Sequence, residues 1–351
     1  MRRSPIKTSS RIRTACVVAA TVFLLTACSG VTDPIEDPAQ SNQDSEDTVT
    51  ITLDPPRVTL LDAGDATKVL TYGIPTEEAD TQLLPVRLGG GFSTLIDPDT
   101  GLDTTPPAEP DNLPVLNFDA EATVRAVDGD TVTAEETGAT RRVTITARTP
   151  RFAGGDPRLT SYGDSDIDWN TELAGADGFT LSYATTPSGK PLTMSLHAPE
   201  SASDISRASM ETKLGSLVTL AVVFPGEPVG PGARWTVESR ITGSTTMLQT
   251  VTYTLTSLND RTVSLNVEVD QRPSIGALSL DAILPPGADG TSAGELRVQS
   301  TETTSTGRLD LDLGDPLPNS GGVAFTTRII YTGDGSDIRV VQDSHTATHF
   351  G

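Results

Sequence analysis

The chain has 351 residues and carries 25 Lys and Arg against 47 Asp and Glu, which gives a formal net charge of −22 at pH 7. This balance argues against nucleic-acid binding, because few basic groups are available to neutralise phosphates. It argues equally against attachment to anionic headgroups through a basic patch, and the length allows two ordinary domains or one large β domain.

The N-terminal residues have the order of a secretory signal. Basic residues precede the apolar run 15–25, and the quartet Leu25-Thr26-Ala27-Cys28 follows directly. A basic start, a short apolar centre and small residues at the end are typical of a signal peptide with a processing site. The alternative is an uncleaved signal anchor, but the run is short for a membrane span. We expect a signal peptide over residues 1–27.

The quartet that ends at Cys28 resembles the lipobox of bacterial lipoproteins. In that family a diacylglyceryl group is attached to the cysteine, and a dedicated peptidase cleaves just before it. The resemblance therefore implies acyl chains such as palmitate on Cys28 and a place on the extracytoplasmic face of the cell membrane. The other cysteine, Cys16, lies in the signal, so we expect no disulfide and no thiolate nucleophile in the mature chain.

Residues 28–48 are rich in Pro, Ser, Asp and Gln. Such a segment cannot bury enough apolar surface to order itself. We predict a lipidated disordered tether here, extended by its own charge.

From Val49 onward, short apolar-polar alternation predicts β-strands. In residues 251–269 the apolar side chains fall on one face of two strands, with the turn at Asn259-Asp260 between them, which predicts an antiparallel hairpin with one wet face. Similar patterns predict a strand at 141–148 and hairpins over 120–136, 179–196 and 323–341.

One stretch breaks this alternation. Ser203 and Asp204 are good N-cap residues, and few strand formers follow them. We predict a helix from Asp204 to about Leu214, with Val223 as the outer limit, because Pro225 stops the helix.

Gly-containing segments on either side of this helix resemble each other, Ala63-Gly64-Asp65 before Lys68–Tyr72 and Pro231-Gly232-Ala233 before Arg234–Ser239. This similarity predicts antiparallel sheets in two related halves, joined by one crossing helix near 204–223. We therefore predict half one over 49–200 with a loop insert at 89–112, a connecting helix over 201–223, half two over 224–346 and a tail over 347–351. The alternative is that the two halves are unrelated and look similar only because all β-hairpins have similar sequence patterns.

The segment 224–235 reads Pro-x-x-Pro-Val-Gly-x-Gly-x-x-Trp after its first residue. It is similar to a segment of uncharacterised β-rich lipoproteins of high-GC Gram-positive bacteria. That resemblance implies a class and carries no assigned activity. We expect the Val229–Gly232 stretch to form a turn and Trp235 to anchor the core rather than bind a ligand.

Acidic and histidine residues give two weak metal patterns. Asp164, Asp166 and Asp168 have the spacing of a calcium loop, but Trp169 takes the place of the required Gly. Acid-rich solvated loops produce the same spacing, so the weak calcium site stays an alternative. His345 and His349 fall on one face, but a metal needs a third ligand.

No motif specifies a reaction: a nucleophile elbow, a phosphate loop and a dinucleotide fingerprint are all missing from the sequence. We therefore expect a non-enzymatic envelope lipoprotein without a cofactor, which binds or presents an apolar ligand or an envelope partner. One form is a curved sheet with a helix over its concave face, similar to lipoproteins that carry lipids. The alternatives are an Asp/Glu-dependent hydrolase of the envelope and a purely structural surface lipoprotein.

Overall fold

The computed structural model describes residues 48–74, 81–97, 103–108, 113–127, 133–153, 167–241, 246–274, 277–279, 295–333 and 339–351. Within these ranges the chain forms fourteen strands, two α-helices and one 3-10 turn. The predicted mostly-β class is confirmed.

The strands before the long helix are β1 (Thr48–Thr52), β2 (Arg57–Asp62), β3 (Gln82–Asp97), β4 (Val115–Ala126), β5 (Arg141–Ala153), β6 (Phe179–Thr185) and β7 (Pro191–His197). Those after it are β8 (Arg234–Ile241), β9 (Met247–Asn259), β10 (Thr262–Pro273), β11 (Ala277–Ser279), β12 (Glu295–Asp312), β13 (Ser320–Gly333) and β14 (Arg339–Phe350). The helices are α1 (Trp169–Ala174) and α2 (Asp204–Thr219), and the 3-10 turn is Ala134–Glu136.

All fourteen described strands belong to one antiparallel sheet. Its order is β1-β7-β6-β5-β4-β3-β14-β13-β12-β10-β9-β8-β2, and the short β11 pairs with β12. Two meanders, β3 to β7 and β8 to β14, therefore meet where β3 pairs with β14, from Val86↔Phe350 to Asp97↔Arg339.

The sheet must curl strongly, because its two edges are joined by a short piece of chain. Thirteen flat strands would span about 58 Å. The edge strands β1 and β2 are nevertheless connected by residues 53–56 alone, which reach at most about 18 Å. The edges therefore approach each other, and the sheet encloses an interior.

A single large core fills this interior. Ile145 and Leu181 from one meander and Val251 and Leu265 from the other belong to the same buried cluster as Leu214 of α2. We call the face that carries these residues the inner face and the opposite one the outer face. Because both meanders contact α2, the helix lies inside the curve of the sheet.

The hairpin predicted over 251–269 is confirmed as β9 and β10. Val251 pairs with Val269 and Tyr253 with Val267, and all four side chains are buried. The turn residues are Asp260 and Arg261, one position later than predicted, and Asp260 adopts a φ of 52°. Asp tolerates this left-handed conformation better than most residues do.

The predicted helix is confirmed as α2. The Ser203 Oγ accepts a hydrogen bond from the Ser206 N–H at 3.2 Å, as an N-cap does. Trp235 is fully buried, as expected of a core anchor, and its Nε1 donates to the Val223 carbonyl at 2.9 Å. The short helix α1 was not predicted; the Asp168 side chain caps it.

The predicted relation between two halves is not confirmed. Lys68–Tyr72, which was matched to the first strand after the helix, contributes only one bridge, from Lys68 to Val229. The similar Gly segments contact each other instead: the Gly230 N–H donates to the Ala63 carbonyl at 3.1 Å, and the Asp65 N–H donates to the Pro231 carbonyl at 3.0 Å.

The predicted loop insert at 89–112 is wrong for its first part, because residues 89–97 continue β3. The glycines there do not serve flexibility. A Cβ on Gly91 would lie 2.3 Å from Leu113 Cδ2 on the outer face, and one on Gly90 would lie 2.9 Å from Lys213 Nζ on the inner face. The glycines therefore make room for the Leu113 and Lys213 side chains, which pack against opposite faces of β3.

Three smaller boundary predictions also fail. The predicted tail 347–351 is wrong because β14 runs to Phe350 between two partner strands. The second strand of the hairpin predicted over 120–136 is wrong in its described part, because 134–136 form the 3-10 turn and β4 pairs with β5 instead. The sheet begins at Thr48, the last residue assigned to the tether.

Among the described residues, no helix is long and apolar enough to cross a membrane.

Candidate functional site

A small cavity lies at the inner face, below the C-terminal end of α2. Four segments close this end of the interior, and backbone hydrogen bonds tie them together: the Tyr72 N–H donates to the Pro187 carbonyl, Gly73 to Leu313 and Phe224 to Ser188. The cavity has a volume of about 50 Å³. Its apolar walls come from Val143, Leu217, Leu220, Leu311, Leu317 and Phe350. We call it the α2 pocket.

Arg141 places a charged group in this apolar surrounding. On β5 the side chains of Val143, Ile145 and Ala147 point to the inner face, and strand alternation puts Arg141 on that same face. The residue is 2% exposed. It stands directly opposite Thr185 of β6.

The guanidinium of Arg141 is only partly satisfied. Its Nη2 donates to the Asp315 carbonyl at 3.1 Å, and its central carbon lies 4.6 Å from the centre of the Tyr72 ring. Its Nε has no hydrogen-bond partner. Among the described residues no carboxylate oxygen lies within 4.0 Å of it, and the Asp315 side chain accepts from Asn319 instead.

Burial dominates the electrostatics of the α2 pocket. It lowers the pKa of Arg141, and the nearby Tyr72, Tyr183 and Asp315 offset part of this effect. It raises the pKa of Tyr183 to about 12 and that of Tyr72 further. Both phenols are therefore neutral at pH 7, whereas an arginine keeps its charge. Asp312 also lines the pocket, but its carboxylate pairs with Arg261, so Arg141 has no direct ion-pair partner among the described residues.

Two hydroxyls near Arg141 share this lack of partners. Thr185 Oγ1 and Thr140 Oγ1 are buried and make no hydrogen bond. Thr185 lines the α2 pocket. Buried polar groups are normally paired, because each unpaired one costs about 1–3 kcal/mol. The position of Thr185 opposite Arg141 indicates a place for a polar group in the pocket.

A second cation points to the inner face one helical turn before Leu217. Lys213 is partly buried, and desolvation lowers the pKa of its ammonium to about 8. Its Nζ lies against Gly90 of β3. At pH 7 it remains mostly protonated, so the interior below α2 carries two positive charges inside an acidic protein.

Another cavity, of about 200 Å³, lies on the outer face. Segment 103–108 covers it, and Arg328 holds that segment by donating to the Asp103 carbonyl at 2.9 Å while its guanidinium pairs with Asp343. His345 lines the cavity, and its Nδ1 is hydrogen-bonded to Thr326 Oγ1 at 2.8 Å. The polar lining of this cavity consists mainly of hydroxyl groups, each of which can both donate and accept a hydrogen bond.

The metal patterns of the sequence do not meet in the structure. Asp164 and Asp166 lie outside the described residues, and both oxygens of Asp168 accept from Thr171 at the start of α1. His345 and His349 do share one face, but they are four positions apart on β14, a distance of about 13 Å, which is too far to bind one ion. Within the described ranges, no three His, Cys, Asp or Glu side chains lie close enough to hold a metal.

The described carboxyl groups with a resolved pKa shift are all shifted downward. Burial raises the pKa of Glu136, but hydrogen bonds from Thr193 at 2.6 Å and Arg142 at 2.7 Å outweigh it. The pKa values of Asp103 and Asp168 are lowered mainly by hydrogen bonds from Thr105 and Thr171. These groups stay ionised at neutral pH, unlike a general acid, which needs a raised pKa.

The predicted lipid site, Cys28, lies outside the described residues. Arg141 was missed, although the sequence contains a signal for it. Alternation through Val143 and Ile145, extended back by two residues, puts Arg141 on an apolar face and Arg142 on the opposite one. A charge on the buried face of a strand marks a position with a special role.

Comparison with the models of known protein families finds no match. Comparison with curated protein sequences finds no match either.

Proposed function

We propose that this protein is a lipoprotein anchored through Cys28 to the extracytoplasmic face of the cell membrane, and that it binds an apolar ligand below α2 without catalysing a reaction. The signal and lipobox-like quartet support the anchor. The observation that carries the ligand proposal is the α2 pocket, a space with largely apolar walls on the inner face of a curled sheet, beside the C-terminal end of α2. Apolar pockets with a few polar groups are typical of small-molecule sites.

A long ligand requires this site to open, because 50 Å³ accommodates a group of carboxylate size and not an acyl chain. The helix is suited to such a displacement. Gly215 in its C-terminal half, three Ser and two Thr have low helix propensity. At its last residue Gln249 Nε2 donates to the Thr219 carbonyl at 3.1 Å, and the next polar side-chain contacts from other segments among the described residues lie beyond the helix, on the Val222 and Val223 carbonyls.

Lipid analysis of the full-length protein tests this function. We expect the protein, purified from its own membranes, to release one apolar molecule per chain on solvent extraction. Leu217→Trp should fill the α2 pocket and abolish this ligand, whereas Leu61→Trp, on an exposed side chain, should retain it. Circular dichroism checks that both variants fold, and Ala221→Leu offers a milder pocket-filling change. A ligand-free native protein would contradict the proposal.

The anchor has a separate test. Cys28→Ser should move the protein from the membrane fraction to the soluble fraction, and intact mass should show the loss of the acyl chains. A Cys28→Ser protein that still sediments with membranes would contradict lipidation at this residue.

A second candidate function is the binding of an envelope protein through β3. Residues 90–97 extend past the end of β4, so among the described strands one edge of this segment has no neighbour. Phe92, Leu95 and Ile96 are exposed there. A free edge with apolar side chains can accept a partner strand. A photo-crosslinking residue at Ile96 should then capture one discrete protein in cells, and one at the exposed Glu238 should not.

A further inference from the structure

The lining of the α2 pocket includes the carboxylates of Asp312 and Asp315, but neither pairs with Arg141: Asp312 pairs with Arg261, and Asp315 accepts from Asn319. The unpaired guanidinium indicates the chemistry of the ligand. A buried charge is retained only when something compensates it, since leaving it unpaired is strongly unfavourable. Arg141 is compensated here by one carbonyl and one aromatic ring, and its Nε stays without a partner. If the side chain at this position only filled an apolar core, Leu or Met would do so without the cost of burying a charge.

We infer that Arg141 binds the acidic headgroup of an amphiphile, such as the carboxylate of a fatty acid or a phosphate ester on an alkyl chain. This inference rests on the proposed function and names the class of its ligand. An arginine offers Nε and Nη donors in one plane, which match two oxygens of such an anion. The Thr185 hydroxyl, opposite Arg141 and without a partner, supplies a further donor.

The size and the position of the α2 pocket agree with this arrangement. Its volume of about 50 Å³ fits a headgroup. The apolar walls formed by Leu217, Leu311 and Phe350 then face the first carbons of the chain. The remainder of the chain follows the inner face below α2, where displacement of the helix makes space.

The alternative is that Arg141 is a structural clamp, which ties β5 to Tyr72 and to the turn at Asp315. A clamp needs no ligand and gives no preference for one headgroup over another. The two accounts therefore differ in a measurable selectivity.

Native mass spectrometry of the full-length protein, released from detergent micelles, measures this selectivity. The protein is offered equal concentrations of 12-carbon ligands that differ only in the headgroup: dodecanoate, dodecanol and dodecylamine. We expect dodecanoate to bind about tenfold or more tightly than dodecanol, because charge-assisted hydrogen bonds form only with the acid, and dodecylamine to bind worst. Equal binding of dodecanoate and dodecanol would overturn the inference while leaving the proposed function intact. Binding of none of the three would instead contradict the proposed function.

Variants test whether the preference for the acid arises from the Arg141 side chain. Arg141→Met should remove the preference for the acid and keep the binding of dodecanol, whereas Arg148→Gln, on the same strand but exposed, should change neither. Thr185→Val, which keeps the shape of the side chain, should weaken dodecanoate alone and serves if Arg141→Met does not fold. An unchanged acid preference in either pocket variant would overturn the inference. A final competition experiment uses inorganic phosphate and acetate. If they displace dodecanoate at equal concentration, the site binds a free anion and not an amphiphile, which would overturn the inference.

Discussion

Gly230→Ala is a stringent test of how the two Gly segments meet. A Cβ on Gly230 would lie 1.7 Å from the Asp65 carbonyl oxygen and 2.4 Å from its carbon. Both are backbone atoms, so no flexible side chain can move away. The φ of Gly230 is not in the left-handed region, and the substitution therefore tests the contact rather than the conformational freedom of glycine.

The expected cost follows from the hydrogen bonds at this contact. Relief of the clash requires the segments to separate by more than 1 Å by the usual limits of contact distance. The bonds from Gly230 N to Ala63 O, from Asp65 N to Pro231 O and from Thr67 N to Val229 O, at 3.0–3.1 Å, then cannot all survive. Because most residues that make these bonds are at least partly exposed, loss of two of the bonds at about 1 kcal/mol each predicts a destabilisation of about 2 kcal/mol.

Urea unfolding, followed by the fluorescence of the two tryptophans, measures this free energy. Gly226→Ala is the matched control, because a Cβ there meets no atom within 4 Å. Both substitutions reduce the freedom of the unfolded chain equally, so their difference isolates the contact. A difference below about 1 kcal/mol, within the range of ordinary surface changes, would refute the packing described for these segments.

Two further predictions concern the interior. Trp235→Phe should destabilise the protein by about 2 kcal/mol in urea unfolding, because the Val223 carbonyl loses its buried donor; a cost below about 0.5 kcal/mol would contradict that bond. Lys213 has its pKa lowered from 10.5 to about 8 in the folded state, so the unfolded state binds more protons between these values and stability should rise with pH there. From pH 7.5 to 9.5 the rise should be about 2 kcal/mol relative to Lys213→Met, and parallel curves for the two proteins would contradict burial of the ammonium below α2.

Local patterns in the sequence predict the local elements well. Alternation through Val251 and Val269 defines a hairpin, and Ser203 marks the start of α2, because both signals act between residues that are close in the chain. The glycines of β3 were misinterpreted for the opposite reason. Their role depends on Leu113 and Lys213, which reach them only after the sheet has curled.

The candidate site, too, could be predicted from the sequence only in part. Arg141 could have been found from alternation along β5, since its neighbours Val143 and Ile145 set the inward face. Its pocket could not, because Tyr72, Leu217 and Asp315 approach it from three distant parts of the chain. Likewise, the similarity of the Gly64 and Gly230 segments was visible in sequence, but their mutual contact was not.

The central claim is that an acidic amphiphile lies below α2, and photo-crosslinking tests it most directly. A 12-carbon carboxylic acid with a diazirine at mid-chain is bound to the full-length protein and activated by light, and the labelled peptides are identified by mass spectrometry. The account predicts labels on the C-terminal half of α2, including Leu217, and on the inner-face strands around Leu311 and Phe350. Labels confined to the outer-face cavity around Pro107 and His345, or no specific labels at all, would contradict it.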